Sequence, residues 1–174
     1  MTNHTRLFRC AAVAACVMAF AAARGIAFAQ QAPAAAAVRE FASAIDVTAL
    51  MAKAKAEIKP GQGNFVQTVV RLPPYTVNLE YRVPAGTAGA SIHEREAEIF
   101  FVVEGTGTAI TGGTLKDEKR SNAENLTGSG IEGGVSRTVV KGDVLFVPEK
   151  SPHQFIALGG PLVLMSLHVP RESK

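Results

Sequence analysis

The stretch SIHEREAEIFFVVEGTG, Ser91 to Gly107, sets one histidine and three glutamates ahead of an apolar run that closes on Gly-x-Gly. His93 and Glu98 are separated by an odd number of positions, which sends them to opposite faces of one continuous strand. They meet only if the chain turns between them, and Glu94, Arg95 and Glu96 supply a polar turn. Two readings stay open at this point: a charged hairpin tip facing water, or half of a metal site.

The stretch KGDVLFVPEKSPHQFIAL, Lys141 to Leu158, carries the second half of that choice. Gly142 begins a strand, Pro148 ends it, and after Glu149-Lys150-Ser151-Pro152 the next strand opens on His153. Together the two stretches resemble the paired motifs of the cupin superfamily. His93 takes the place of the second histidine of the first motif, Glu98 that of its glutamate and Gly105 that of its closing glycine. Gly142, Pro148 and His153 fall at the spacing of the second motif. The resemblance spans Gly86 to Ala157. It implies a cupin-type jelly-roll β-barrel, all-β, as a single domain with a pocket inside.

The departures from the family pattern are specific. Ser91 stands where the first metal histidine would be, Lys150 where a glycine would be and Ala157 where an asparagine would be, and Gly86 is one residue too close to Ser91. The resemblance therefore implies a reduced ligand set of His93, Glu98 and His153. Two imidazoles and a carboxylate with open positions suit one divalent ion of Fe, Mn, Ni or Zn. The alternative is a metal-free pocket that keeps both histidines as polar lining.

Around these stretches, short β-rich runs separated by Gly and Pro are read as strands at Phe65–Arg71, Thr76–Val83, Ser91–His93, Ile99–Val103, Thr106–Ile110, Ser136–Val140, Asp143–Val147, Gln154–Ala157 and Leu162–Val169. Tyr81, Phe100, Phe101 and Phe155 are core residues by default, and Tyr81, Phe100, Phe155 and Ser91 are candidates for the pocket wall. His168 shares a strand face with Ser166 in PLVLMSLHVP. It is either a group that reaches the pocket or a structural histidine at the end of a strand. Asp117 to Gly134 is polar and Gly-rich and reads as a long exposed loop, with a glycosylation sequon at Asn125-Leu126-Thr127.

Ahead of the strands, Val47, Leu50, Met51, Ala54 and Ile58 recur at helical spacing, with Asp46 as N-cap and Pro60-Gly61 as the stop. Residues 41–61 are thus an N-terminal helix unit, 62–174 the β-domain, and 30–40 a low-complexity tether. Residues 1–29 read as an export signal: Arg6 and Arg9, an uncharged run from Cys10 to Ala23, then Ala27-Phe28-Ala29. Cys16 is a less favoured lipid-anchor site.

The formal net charge is +3, and Arg6, Arg9 and Arg24 account for all of it. A mature chain without them is neutral, so the basic balance gives no reason to expect a nucleic-acid partner. Both cysteines, Cys10 and Cys16, leave with the signal, so any metal site must use His and carboxylates.

The expected protein is periplasmic or secreted, without a membrane span in its mature chain, and homodimeric because open sheet edges need covering. Three functions fit it: a metal-dependent monocupin acting on or binding a small oxygen-bearing molecule, with oxygenase or isomerase chemistry; a metal-free binding or sensing module; or a structural partner in an envelope complex. Nothing in the sequence names a substrate.

Overall fold

The computed structural model describes residues 37–84 and 89–171. The expected signal, Cys16 and Gly86 lie outside them. One helix, α1 (Ala44–Glu57), precedes the strands β1 (Asn64–Leu72), β2 (Tyr75–Arg82), β3 (Ala90–His93), β4 (Glu96–Glu104), β5 (Thr106–Thr111), β6 (Thr114–Lys116), β7 (Lys119–Arg120), β8 (Asn125–Gly128), β9 (Gly130–Glu132), β10 (Val135–Val140), β11 (Val144–Val147), β12 (His153–Ala157) and β13 (Leu162–Pro170). They form two antiparallel sheets, β1-β2-β13-β4-β11 and β10-β5-β12-β3-β8-β7, and a β6-β9 ribbon. From β3 to β5, and again from β10 to β13, successive strands alternate between the two sheets. This is an all-β jelly roll with one N-terminal helix.

Period-2 alternation splits the apolar residues into two clusters. Between the sheets lie Phe100, Val102, Val147, Leu162 and Leu164 from one side and Ala109, Val139, Phe155 and Ala157 from the other. On the outer face of the first sheet, Val69, Leu79, Tyr81 and Val163 pack with Val47, Leu50, Met51 and Ala54 of α1. The helix thus covers the β1–β2 end of that face. Towards the β11 edge, Phe101, Val144 and Phe146 stay 45%, 61% and 58% exposed.

Three sequence expectations need correction. The N-cap is Ser43, not Asp46: Ser43 Oγ accepts from the Asp46 amide at 3.2 Å and the Ser43 amide donates to Asp46 Oδ2 at 2.8 Å, a reciprocal capping box. The Asp117–Gly134 segment is not an open loop, since β7 and β8 lengthen the second sheet and β9 pairs with β6. Arg39, assigned to the tether, pairs with Arg71 through two backbone hydrogen bonds of 2.8 and 2.9 Å. Among the described residues no helix is long and apolar enough to cross a membrane.

Two turn positions connect the motifs to backbone geometry. Gly105 has φ +88°, and a Cβ there would sit 2.0 Å from the Pro161 carbonyl oxygen, so only glycine fits. Lys150, where the motif it resembles carries glycine, has φ +61°. Its amide donates to the His93 carbonyl at 2.7 Å, clamping the turn before His153 against the end of β3. A left-handed conformation costs a side-chain-bearing residue roughly 1–2 kcal/mol, partly offset by the extra entropy glycine loses on folding. Lys150→Gly is therefore expected to stabilise the protein by about 0.5–1 kcal/mol, read as a higher urea midpoint at unchanged slope. A lower midpoint would contradict this account of the turn.

Candidate metal centre

His93 ends β3 in one sheet and Glu98 lies near the start of β4 in the other, so the turn between them lets both side chains face the interior. That turn is shorter than expected: Glu94 and Arg95 make it, and Glu96 already belongs to β4, on the same face as Glu98. His153, the first residue of β12, pairs with Ser91 of β3. His168 of β13 stands directly opposite Glu98 in the β13–β4 ladder. Four strands from two sheets thus deliver three imidazoles to one carboxylate.

The contacts are specific to one ring nitrogen. Glu98 Oε2 lies 3.2 Å from His93 Nε2 and 3.3 Å from His153 Nε2, and Oε1 lies 3.1 Å from His168 Nε2. The other nitrogen of each ring faces an acceptor. His93 Nδ1 is 2.7 Å from Asn125 Oδ1, His168 Nδ1 is 2.7 Å from Glu96 Oε1, and His153 Nδ1 is 3.2 Å from the Ser151 carbonyl oxygen. Each ring therefore lies between two acceptors: a proton on Nδ1 leaves Nε2 free to ligate a cation, and a second proton on Nε2 lets the ring donate to Glu98.

A carboxylate facing three imidazole nitrogens is satisfied either by protons on those nitrogens or by a cation held between them. Glu98 is 3% exposed, and its Oε2 is buried with no hydrogen-bond partner. Protonating all three rings would supply positive charge, but His93 has its ring centroid 5.3 Å from that of His153 and 5.2 Å from that of His168, where like charges oppose one another. One divalent ion would satisfy the group with a single charge centre. His93, Glu98 and His168 offer ligand atoms all within 4.8 Å of one another, and His153 reaches the same carboxylate.

Burial pulls the His168 pKa down, but Glu96 and Glu98, one on each nitrogen, push it up to about 10. Burial likewise lowers that of His93, and Glu98 and Asn125 outweigh it. Burial would raise the Glu98 carboxyl, yet the three imidazoles, His153 first, hold it well below the usual carboxylate range.

The sequence-predicted residues are distributed as follows. His93, Glu98, His153 and His168 line one cavity of about 200 Å³ together with Ser91 and Phe100. Phe155 lies one layer beneath, fully buried, its ring centroid 4.5 Å from that of Phe100. Tyr81 is not in the pocket: Asn78, Glu80 and Arg82 take the inner face of β2, so Tyr81 packs outward with the cluster under α1. Asn125, read as a glycan acceptor, has its side chain engaged by His93. Glu96 and Asn125, which hold two of the rings, were missed by sequence reasoning, as were Asn64, Asn78, Glu80 and Arg82 of the cavity wall. An alternation with Glu98 was the only signal for Glu96, and none existed for Asn125.

No protein-family model matches the chain, and no curated protein matches it. Among solved structures it is similar to the hydroxypropylphosphonic acid epoxidase from S. wedmorenis, at 18% identity and TM-score 0.46, covering 62% of this chain and 51% of that one. It is also similar to KdgF from Halomonas sp. (21%, TM-score 0.47, 67% and 86% covered) and to TT1209 from Thermus thermophilus (16%, TM-score 0.49, 70% and 95% covered). The chain spans about half the length of the epoxidase.

The raised His168 pKa gives a test in the metal-free protein. A histidine whose pKa rises from an ordinary 6.5 to about 10 on folding contributes stability that is complete below pH 6.5 and lost as pH climbs through about 10. The difference in unfolding free energy between wild type and His168→Leu should therefore shrink from pH 6 to pH 10, measured by denaturant unfolding. A difference that stays level or grows would show that His168 is not held between the two glutamates.

Proposed function

We propose that this chain is a metal-binding cupin that holds one divalent ion at His93, Glu98, His153 and His168 and binds a small oxygen-bearing molecule beside it. The observation that carries this reading is the convergence of three Nε2 atoms on a buried carboxylate with all three Nδ1 atoms already engaged. His168 takes the role that the resemblance assigns to a histidine at position 91. Imidazole nitrogens with a carboxylate suit Fe, Mn, Ni or Zn. Such an ion would supply Lewis-acid or redox chemistry to an oxygen-bearing ligand. The chain's own residues orient the rings through Glu96, Asn125 and the Ser151 carbonyl, and the depth of the carboxylate keeps bulk water away. Export to the periplasm or beyond is part of the same proposal and rests on the leader-like first 29 residues.

Protein expressed without an affinity tag and purified without added metal should carry at most one divalent ion per chain. His93→Ala, His153→Ala and His168→Ala should each abolish or strongly reduce that content. If His168 replaces the histidine lost at position 91, the double variant Ser91→His, His168→Ala should recover metal that His168→Ala lacks, because Ser91 lines the same cavity. Asn125→Leu, which frees the Nδ1–H of His93, should weaken metal binding about 10–100-fold. Wild-type metal content in all three single histidine variants would refute the assignment.

A second copy of the chain is proposed to cover the β11 edge, where Val144 and Phe146 stand exposed on the open strand beside Phe101 of β4. Light scattering should give the mass of two chains, reduced to one by Phe146→Asp; a single-chain mass for wild type would refute it.

A further inference from the structure

The cavity over the metal centre has a second polar wall that the centre does not use. Asn64, Asn78, Glu80 and Arg82, on the inner faces of β1 and β2, line it opposite the histidines, and Val66 and Phe100 are its apolar members. The Arg82 and Glu80 side chains are only 10% and 8% exposed. Withdrawing such ions from water costs several kcal/mol each, and packing does not demand it. The residues paired with them on β13, Leu162 and Leu164, are aliphatic and fully buried.

The wall is electrically closed on itself. Glu80 Oε2 accepts from Arg82 Nε at 3.1 Å, from Arg82 Nη2 at 2.5 Å and from Asn64 Nδ2 at 3.1 Å, and Arg82 Nη1 donates to the Phe155 carbonyl at 3.4 Å. A carboxylate placed against Arg82 would therefore meet the charge of Glu80. What the wall offers instead is a close mixture of acceptors and donors. Asn64 Oδ1 is buried with no hydrogen-bond partner, and Asn78, its Oδ1 taken by Thr68 at 3.2 Å, keeps its Nδ2 donor. A hydroxyl group donates and accepts at the same atom, which is what such a wall can satisfy. The volume of about 200 Å³ is below the roughly 300–1,000 Å³ of pockets that take drug-sized ligands.

We propose that the cavity takes a small, neutral, polyhydroxylated molecule, a short polyol or a single sugar ring, with hydroxyls on Asn64, Asn78, Glu80 and Arg82 and its far end at the histidines. Only that last contact rests on the metal reading; the wall stands without it.

The test titrates wild type, loaded with Mn²⁺ and with its metal content measured on the same sample, with erythritol and xylose and with the matched carboxylates erythronate and xylonate. The neutral members should bind with dissociation constants of about millimolar, and the anions at least about tenfold more weakly. The double variant Glu80→Gln, Arg82→Gln, which leaves no buried charge unpaired, should lose about tenfold or more of the polyol affinity at unchanged metal content. Asn78→Ala removes no charge and, should the double variant fail to fold, should show the same loss. Preference for the anions, no binding of either neutral compound below about 100 mM, or wall variants that bind polyols like wild type would overturn the proposal. Absence of metal from wild type would instead overturn the metal reading and leave the wall variants interpretable.

Discussion

Three imidazole nitrogens face one buried carboxylate, and the group must be satisfied by protons on those nitrogens or by a cation between them. Because Glu96, Asn125 and the Ser151 carbonyl hold the opposite nitrogens, the rings cannot rotate away from Glu98 without giving up those hydrogen bonds. The constraint is therefore built into the backbone positions of β3, β4, β12 and β13. It accounts for the depth of Glu98, the direction of its pKa shift and the raised pKa of His168.

The jelly roll makes this convergence inexpensive. Its chain passes from sheet to sheet at each corner, so His93 and Glu98, neighbours across a two-residue turn, face each other across the interior. The ladder between β13 and β4 then sets His168 beside Glu98 without any loop contribution. Alternation of the same strands places Leu162, Leu164, Phe100 and Phe155 beneath, so the polar group sits on a dry floor. The β7–β8 excursion adds Asn125, and the left-handed turn at Lys150 pins the chain before His153.

Much of this was legible from spacing. The odd separation of His93 and Glu98 demanded a turn between them, and the interval from Gly142 to His153 matched a known pattern, so three members of the group were named from sequence. The strand bearing His168 was read with the right faces, but its face alone does not say which strand lies beside it. Only the register against β4 does. Glu96 was assigned to the turn because turn length cannot be read from charged residues that suit both turn and strand. Asn125 was hidden in a segment whose polar composition suggested solvent, whereas its backbone pairs with β3. Tyr81 was misplaced because aromatic character marks burial without marking which of two cores it joins.

The central claim is that three rings bind one ion through Nε2 while keeping Nδ1–H. Proton NMR of the Co²⁺-loaded protein tests it directly, since an imidazole N–H on a ring bound to a paramagnetic ion is shifted far from the diamagnetic envelope and exchanges with water. The account predicts three such exchangeable signals, one for each of His93, His153 and His168, with one lost in His168→Ala. Two signals or fewer in the wild type, or an unchanged spectrum in His168→Ala, would contradict it.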